Sequence, residues 1–212
     1  MNPFKLILIV FFLLGAIAAG PAQSLQVAMD PKPSSLAETQ LALRSETEAV
    51  NGPWQPAVPK TPFTRMYLPV WEEARAHCLD VARTMPEELY GYRPSPVSKS
   101  FAEQMVHIGY TVKLLTERYV EGKDVTANTP DASAMTKAEV LDLLEAGFDY
   151  VEAVIRTVEQ PQLDQTCVMY HSGNTVSRAF AFFYVQDHLT NHRAKANLYL
   201  RMNNIDPPEY TW

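Results

Sequence analysis

Asp187-His-Leu-Thr-Asn-His192 lies within a long stretch, Asn174 to Asn203, whose apolar residues recur at helical spacing. Its two histidines are four residues apart, so a single helix stacks both imidazoles on one face. With His188 at zero on a wheel of about 100° per residue, Ala181, Val185, Leu189, His192, Ala196 and Tyr199 all fall within roughly 100° of it. The histidines therefore sit on the core-facing stripe. Ala181 and Ala196 are small, which predicts room beside the imidazoles for something other than protein atoms. Asp206-Pro-Pro208 forbids the helix from continuing.

Moving toward the N-terminus, Gln162 to Gly173 reads as loop, and Pro161 ends a preceding helix that runs to about Glu159. That helix opens at a capping box, Thr136-Lys-Ala-Glu139, and its apolar positions include Val140, Leu143, Leu144, Phe148, Val151 and Ile155. A second box, Ser100-Phe-Ala-Glu103, opens a helix reaching about Val120, ahead of Gly122. The 14 residues from Gly122 to Met135 then separate the two helices. A connection of that length can cross the end of a bundle instead of forming a tight hairpin. The first helical segment covers Pro62 to Thr84, where Pro69 predicts a kink or a later start, and it stops before Met85-Pro86. Glu87 to Pro96 is an irregular aromatic-proline connection. Nothing alternates as a strand would. The fold class is all-α, a four-helix bundle over residues 61–212.

The chain has 212 residues, of which the first 24 read as a signal peptide. Lys5 supplies the positive start, Leu6 to Ile17 an apolar run, and Gly15-Ala-Ile-Ala-Ala19 small residues for cleavage after Ala18 or Ala22. The run is short of the ~20 residues that span a bilayer, which favours a cleaved signal over the alternative of a permanent membrane anchor, and no later segment is apolar enough for a span. No cysteine follows it to accept a lipid. The protein is expected to be exported, to a periplasm or the medium. Residues 25–60 form a proline-rich arm of low structure, with a short helix possible near Leu36–Val50. Losing Lys5 takes the formal charge from −6 to −7, which is unsuited to a phosphate backbone and excludes nucleic acid as a partner. Cys78 and Cys167 are the only thiols; export permits a disulfide, and geometry decides whether they pair.

The candidate chemistry rests on a third histidine. His107 lies on the flank of the second helix's apolar face, positioned to point into a seam with a neighbouring helix. Packing that helix against the fourth would gather His107, His188 and His192 around one point, enough to hold a divalent transition metal with coordination positions open. The alternative is that HxxxH is a pair of core histidines with no ion. A zinc-protease site would carry Glu directly after the first histidine; Leu189 stands there instead. His77 and His171 have no partners at ligand spacing.

Tyr90-Gly-Tyr-Arg-Pro94, the helix start Ser100-Phe-x-Glu-Gln-x-x-His107, and Asp187-His-x-x-x-His-Arg with Tyr199-Leu-Arg201 and Pro207-Pro208 together resemble the DinB-like superfamily of metal-binding four-helix bundles (DinB/YfiT type). The resemblance spans about residues 62–208. It implies up-down-down-up topology with a long crossover between helices two and three, and a divalent metal on His107, His188 and His192. Asn204 stands where relatives commonly carry Gly after the last helix; Asn also tolerates the left-handed conformation. Such proteins are often homodimers, and the wider superfamily includes thiol-dependent transferases and isomerases.

A three-histidine site with open positions offers Lewis acidity. Three readings follow: a metal-dependent hydrolase or transferase acting on an unidentified small molecule, with Tyr110 or Tyr199 as supporting donors; a non-catalytic metal- or ligand-binding module of the cell envelope; or a dimeric structural bundle using its acidic surface and Tyr210-Thr-Trp212. No general base is evident, since Asp187 and Glu103 both point away from the histidines. Zinc, nickel, iron and manganese all suit the ligand set.

Overall fold

Thr61 caps the first helix, α1 (Pro62–Thr84), by exchanging side-chain and backbone hydrogen bonds with Thr64, and Pro62 occupies the first turn, where its missing N–H costs nothing. The computed structural model describes residues 56–210. The expected signal peptide, most of the arm with its short helix, and Thr211-Trp212 lie outside the described residues. Pro69 neither delays the start nor breaks α1, because the carbonyl it deprives of a donor belongs to Arg65, which is exposed to water.

Both expected capping boxes form. Ser100 and Glu103 open α2 (Phe101–Leu115), and Thr136 and Glu139 open α3 (Lys137–Thr157). α2 runs directly into a wider π-helical turn, Thr116–Glu121, closed by Gly122 at φ 74°. The crossover follows, with a 3-10 turn at Ala132–Ala134. A short α4 (Gln160–Leu163) and a hairpin come next, before α5 (Arg178–Met202).

The hairpin corrects the expectation of plain loop here. β1 (Thr166–Val168) pairs antiparallel with β2 (Thr175–Ser177), with Cys167 opposite Val176. Each strand has three residues and no buried one, so neither could produce an apolar–polar alternation. Consequently α5 starts at Arg178, capped by Ser177, four residues later than its apolar spacing suggested. At the other end Asn204 adopts φ 57°, the left-handed role foreseen for it.

Side-chain pairings fix the helix directions. Glu72–Arg156, Arg75–Asp149 and Arg83–Glu145 run α1 and α3 antiparallel. Gly109 lies against Leu143 and Gly147, and Lys113 lies over the Tyr150 ring, so α2 and α3 are parallel. Tyr119–Tyr184 and Gln104–Tyr199 run α2 and α5 antiparallel. Tyr67–Phe182 and Arg193–Ala74 make α1 and α5 parallel. Each of the four long helices thus packs along two of the others, and the α2–α5 seam is the one that receives clustered histidines from both sides.

The core between the helices holds fully buried Trp71, Phe101, Phe148 and Phe182. Trp71 donates its indole N–H to the Phe148 carbonyl at 3.4 Å, so its one polar atom is satisfied. Cys78 is buried in this core and Cys167 half-buried in the hairpin; both thiols are free. Among the described residues no helix is long and apolar enough to cross a membrane.

Candidate metal centre

His107 comes from the middle of α2, His188 and His192 from consecutive turns of α5, and each helix is held in place by the apolar residues flanking its histidines. Ile108 and Leu189, the immediate neighbours, are both fully buried. The antiparallel seam brings the three imidazoles together, with one ligand nitrogen from each within 4.8 Å of the others. His107 Nε2 and His188 Nε2 are 3.2 Å apart. Two nitrogens bonded to one ion at tetrahedral geometry lie about 3.3 Å apart, so this spacing fits a shared ion. The ring of His192 completes the triangle, 4.3 Å from that of His107 and 4.6 Å from that of His188 between centroids.

A hydrogen-bonded chain sets the orientation of the most buried ligand. His192 Nδ1–H donates to Gln104 Oε1 at 2.8 Å, which leaves Nε2 with its lone pair free. Gln104 in turn donates to the Tyr199 hydroxyl at 3.4 Å, and that hydroxyl donates to the Lys99 carbonyl at 3.0 Å. Tyr199 therefore reaches the cluster only through Gln104, as an acceptor, and not as the donor considered from sequence. Tyr110 does not: its hydroxyl accepts from the Asn128 amide and holds the crossover loop. Gln104 was not singled out as a ligand's partner. It lies one turn before His107 on the same face, and that spacing was the available signal.

The electrostatics favour neutral rings. Burial, then the neighbouring His188, Lys99 and Lys195, lower His107 to about 4. Burial, then His107 and His188, lower His192 to about 3. His188 is also lowered, by burial and Lys195, against an opposing pull from Asp187. Neutral imidazoles present lone pairs without releasing a proton, as a divalent cation requires.

These shifts fix a pH dependence for the metal-free protein. Unfolded histidines take up protons near pH 6.5, while the folded ones resist until about pH 4 or below. Between those limits the unfolded state binds more protons, so stability rises with pH. Melting in chelator from pH 4.5 to 7.5 is expected to show a steady gain in Tm up to about pH 6.5 and a weaker gain in His107→Ala.

Ala181 and Ala196 are both fully buried in the core, so they do not open the site. The open side lies at His107 and His188, both part-exposed, with Tyr184 one turn before His188. Among the described residues, neither carboxylate adjacent in sequence to a clustered histidine or its partner is placed as a base there. Glu103 is committed to the Ser100 amide and to Arg93, and Asp187 is exposed. The remaining histidines stay apart: His171 is exposed on the hairpin loop beside Tyr170, and His77 is buried on the α1–α5 seam.

Solved structures share this architecture. A DinB-like protein from Bacillus subtilis matches with a TM-score of 0.56 and 18% identity, over 69% of this chain and 98% of its own. A DinB-family protein from Exiguobacterium sibiricum gives 0.54 and 19%, over 71% and 97%. A DinB-like protein from Bacillus cereus gives 0.57 and 13%, over 68% and 95%. At such identities these likenesses speak for the fold alone. No curated protein matches the chain. The sequence model of the DinB superfamily matches residues 71–196, a span that contains all three clustered histidines. That span exceeds half of the chain, which belongs to the DinB superfamily.

Proposed function

We propose that this is an exported metalloprotein that holds one divalent transition ion (zinc, nickel, iron or manganese) on His107, His188 and His192 and acts as a hydrolase or transferase on a small molecule. The observation that carries the reading is the 3.2 Å approach of two imidazole nitrogens from different helices, with a third ring against both. Such an ion supplies Lewis acidity. His107, His188 and His192, the last oriented by Gln104, would hold it in the seam where the first two rings are part-exposed. Lys99 and Lys195, whose charges act on the histidines, raise the local potential and favour a substrate with a negatively charged group.

Export rests on Lys5 and the apolar run Leu6 to Ile17, and is tested by N-terminal sequencing of protein recovered outside the cytoplasm. A homodimer belongs to the same proposal and is read by sedimentation. The expected result for the enzyme reading is turnover of at least one member of a panel of esters, amides, phosphoesters and thiol adducts, abolished by chelator and restored by metal. A non-catalytic binding module is the second reading, favoured by the commitment of Glu103 to Arg93 and Ser100. Metal binding with no chelator-sensitive turnover across the panel would select it.

A further inference from the structure

α5 turns a second face to α1, and polar groups there lack partners. His77 is only 7% exposed, and both of its ring nitrogens are buried without a hydrogen bond. Arg193, 5% exposed, donates to the Ala74 carbonyl at 3.3 Å and lies 5.4 Å from the Tyr210 ring. Asn197 Oδ1, one turn on, is also buried and unpartnered, and Arg201 continues the same row. The C-terminal tail, Pro207 to Tyr210, passes beside these residues and lines with them a solvent-open cavity of about 360 Å³. Among the described residues no carboxylate lies within ion-pair distance of Arg193 or Arg201. A guanidinium this buried is ordinarily paired.

We propose that this cavity binds the oxyanion of a small ligand, a carboxylate or a phosphate, on the Arg193 and Arg201 guanidinium groups and the His77 ring. A guanidinium offers a planar fork of donors matched to either anion. Burial and Arg193 keep His77 neutral, so it contributes one N–H donor and one acceptor. That acceptor and Asn197 Oδ1 suit a hydroxyl or amide on the same molecule. Glu209, on the rim, and Asp80, whose charge reaches His77, disfavour a bulky polyanion. The site is separate from the histidine cluster: Arg193 and His192 are adjacent in sequence and face different seams.

Titration of the full chain with inorganic phosphate in one arm and succinate in another, followed by the ring resonances of His77 and Tyr210, tests the proposal. Saturable shifts at millimolar concentration are expected with at least one anion, and the arm that saturates names the chemistry. Arg201→Gln, at an exposed position that the fold does not need, is expected to weaken binding about tenfold. Arg193→Gln should abolish it, and if that protein fails to fold, His77→Phe, which keeps the ring and removes its N–H donor, should weaken binding in its place. His107→Ala should leave the titration unchanged, which separates this site from the metal centre. No saturable shift with either anion, equal binding by Arg201→Gln, or loss of binding in His107→Ala would each overturn the assignment.

Discussion

His192→Ala purified without a tag is expected to retain no transition metal after desalting, where the parent protein retains near one equivalent. The ring removed is the most buried of the three and, among the described residues, the only one whose orientation is fixed by a side-chain hydrogen bond outside the cluster. Two imidazoles would remain, too few to hold an ion against exchange with buffer. Gln104→Leu keeps all three ligands and loses only the bond to Nδ1. Its expected cost is about 10- to 100-fold in metal affinity, the usual size for an outer partner. Elemental analysis and competition with a chelating dye separate the two outcomes. Full metal content in His192→Ala would remove the basis of the proposed function.

Gly147→Ala is expected to destabilise the bundle by about 3 kcal/mol, lowering Tm by roughly 10 °C in a domain of this size. A Cβ at Gly147 would collide with the Gly109 carbonyl oxygen, and one at Gly109 would lie 2.9 Å from the Leu143 carbonyl oxygen. Both obstacles are backbone, so only separation of α2 from α3 relieves them. Alanine's better helix propensity returns about 1 kcal/mol at most, which does not reverse the sign. Because Gly109 lies two residues from His107, separation also displaces a ligand. Thermal melts and metal content of the same variant should therefore fall together. A Tm within a degree or two of the parent would show that the helices tolerate a wider spacing.

The bundle was legible because its helices announce themselves locally. Ser100 with Glu103 and Thr136 with Glu139 mark starts by chemistry that operates within one turn, and Pro86 and Asn204 mark stops in the same way. The convergence of His107 with His188 depends on how two helices pack, which spacing along one chain cannot state. What escaped had no local signature. Val168 and Thr175 pair across a loop in strands too short to alternate, and the Gly109–Gly147 contact is visible only once two backbones touch. In the sequence His77 has no partner at ligand spacing and nothing marks it as buried. Its lack of partners follows from burial beneath Tyr210, more than 130 residues away in sequence.

The wide turn at Thr116–Glu121 carries one residue more than an α-helical path over the same rise would hold, since Gly122 N–H reaches back five residues to the Glu117 carbonyl. A homologue missing a single residue there would simply tighten to regular α geometry. The surplus falls after His107 and before the crossover, so such a gap in an alignment would leave the imidazole cluster in register while shifting Tyr119 against Tyr184 and re-aiming the loop beyond it.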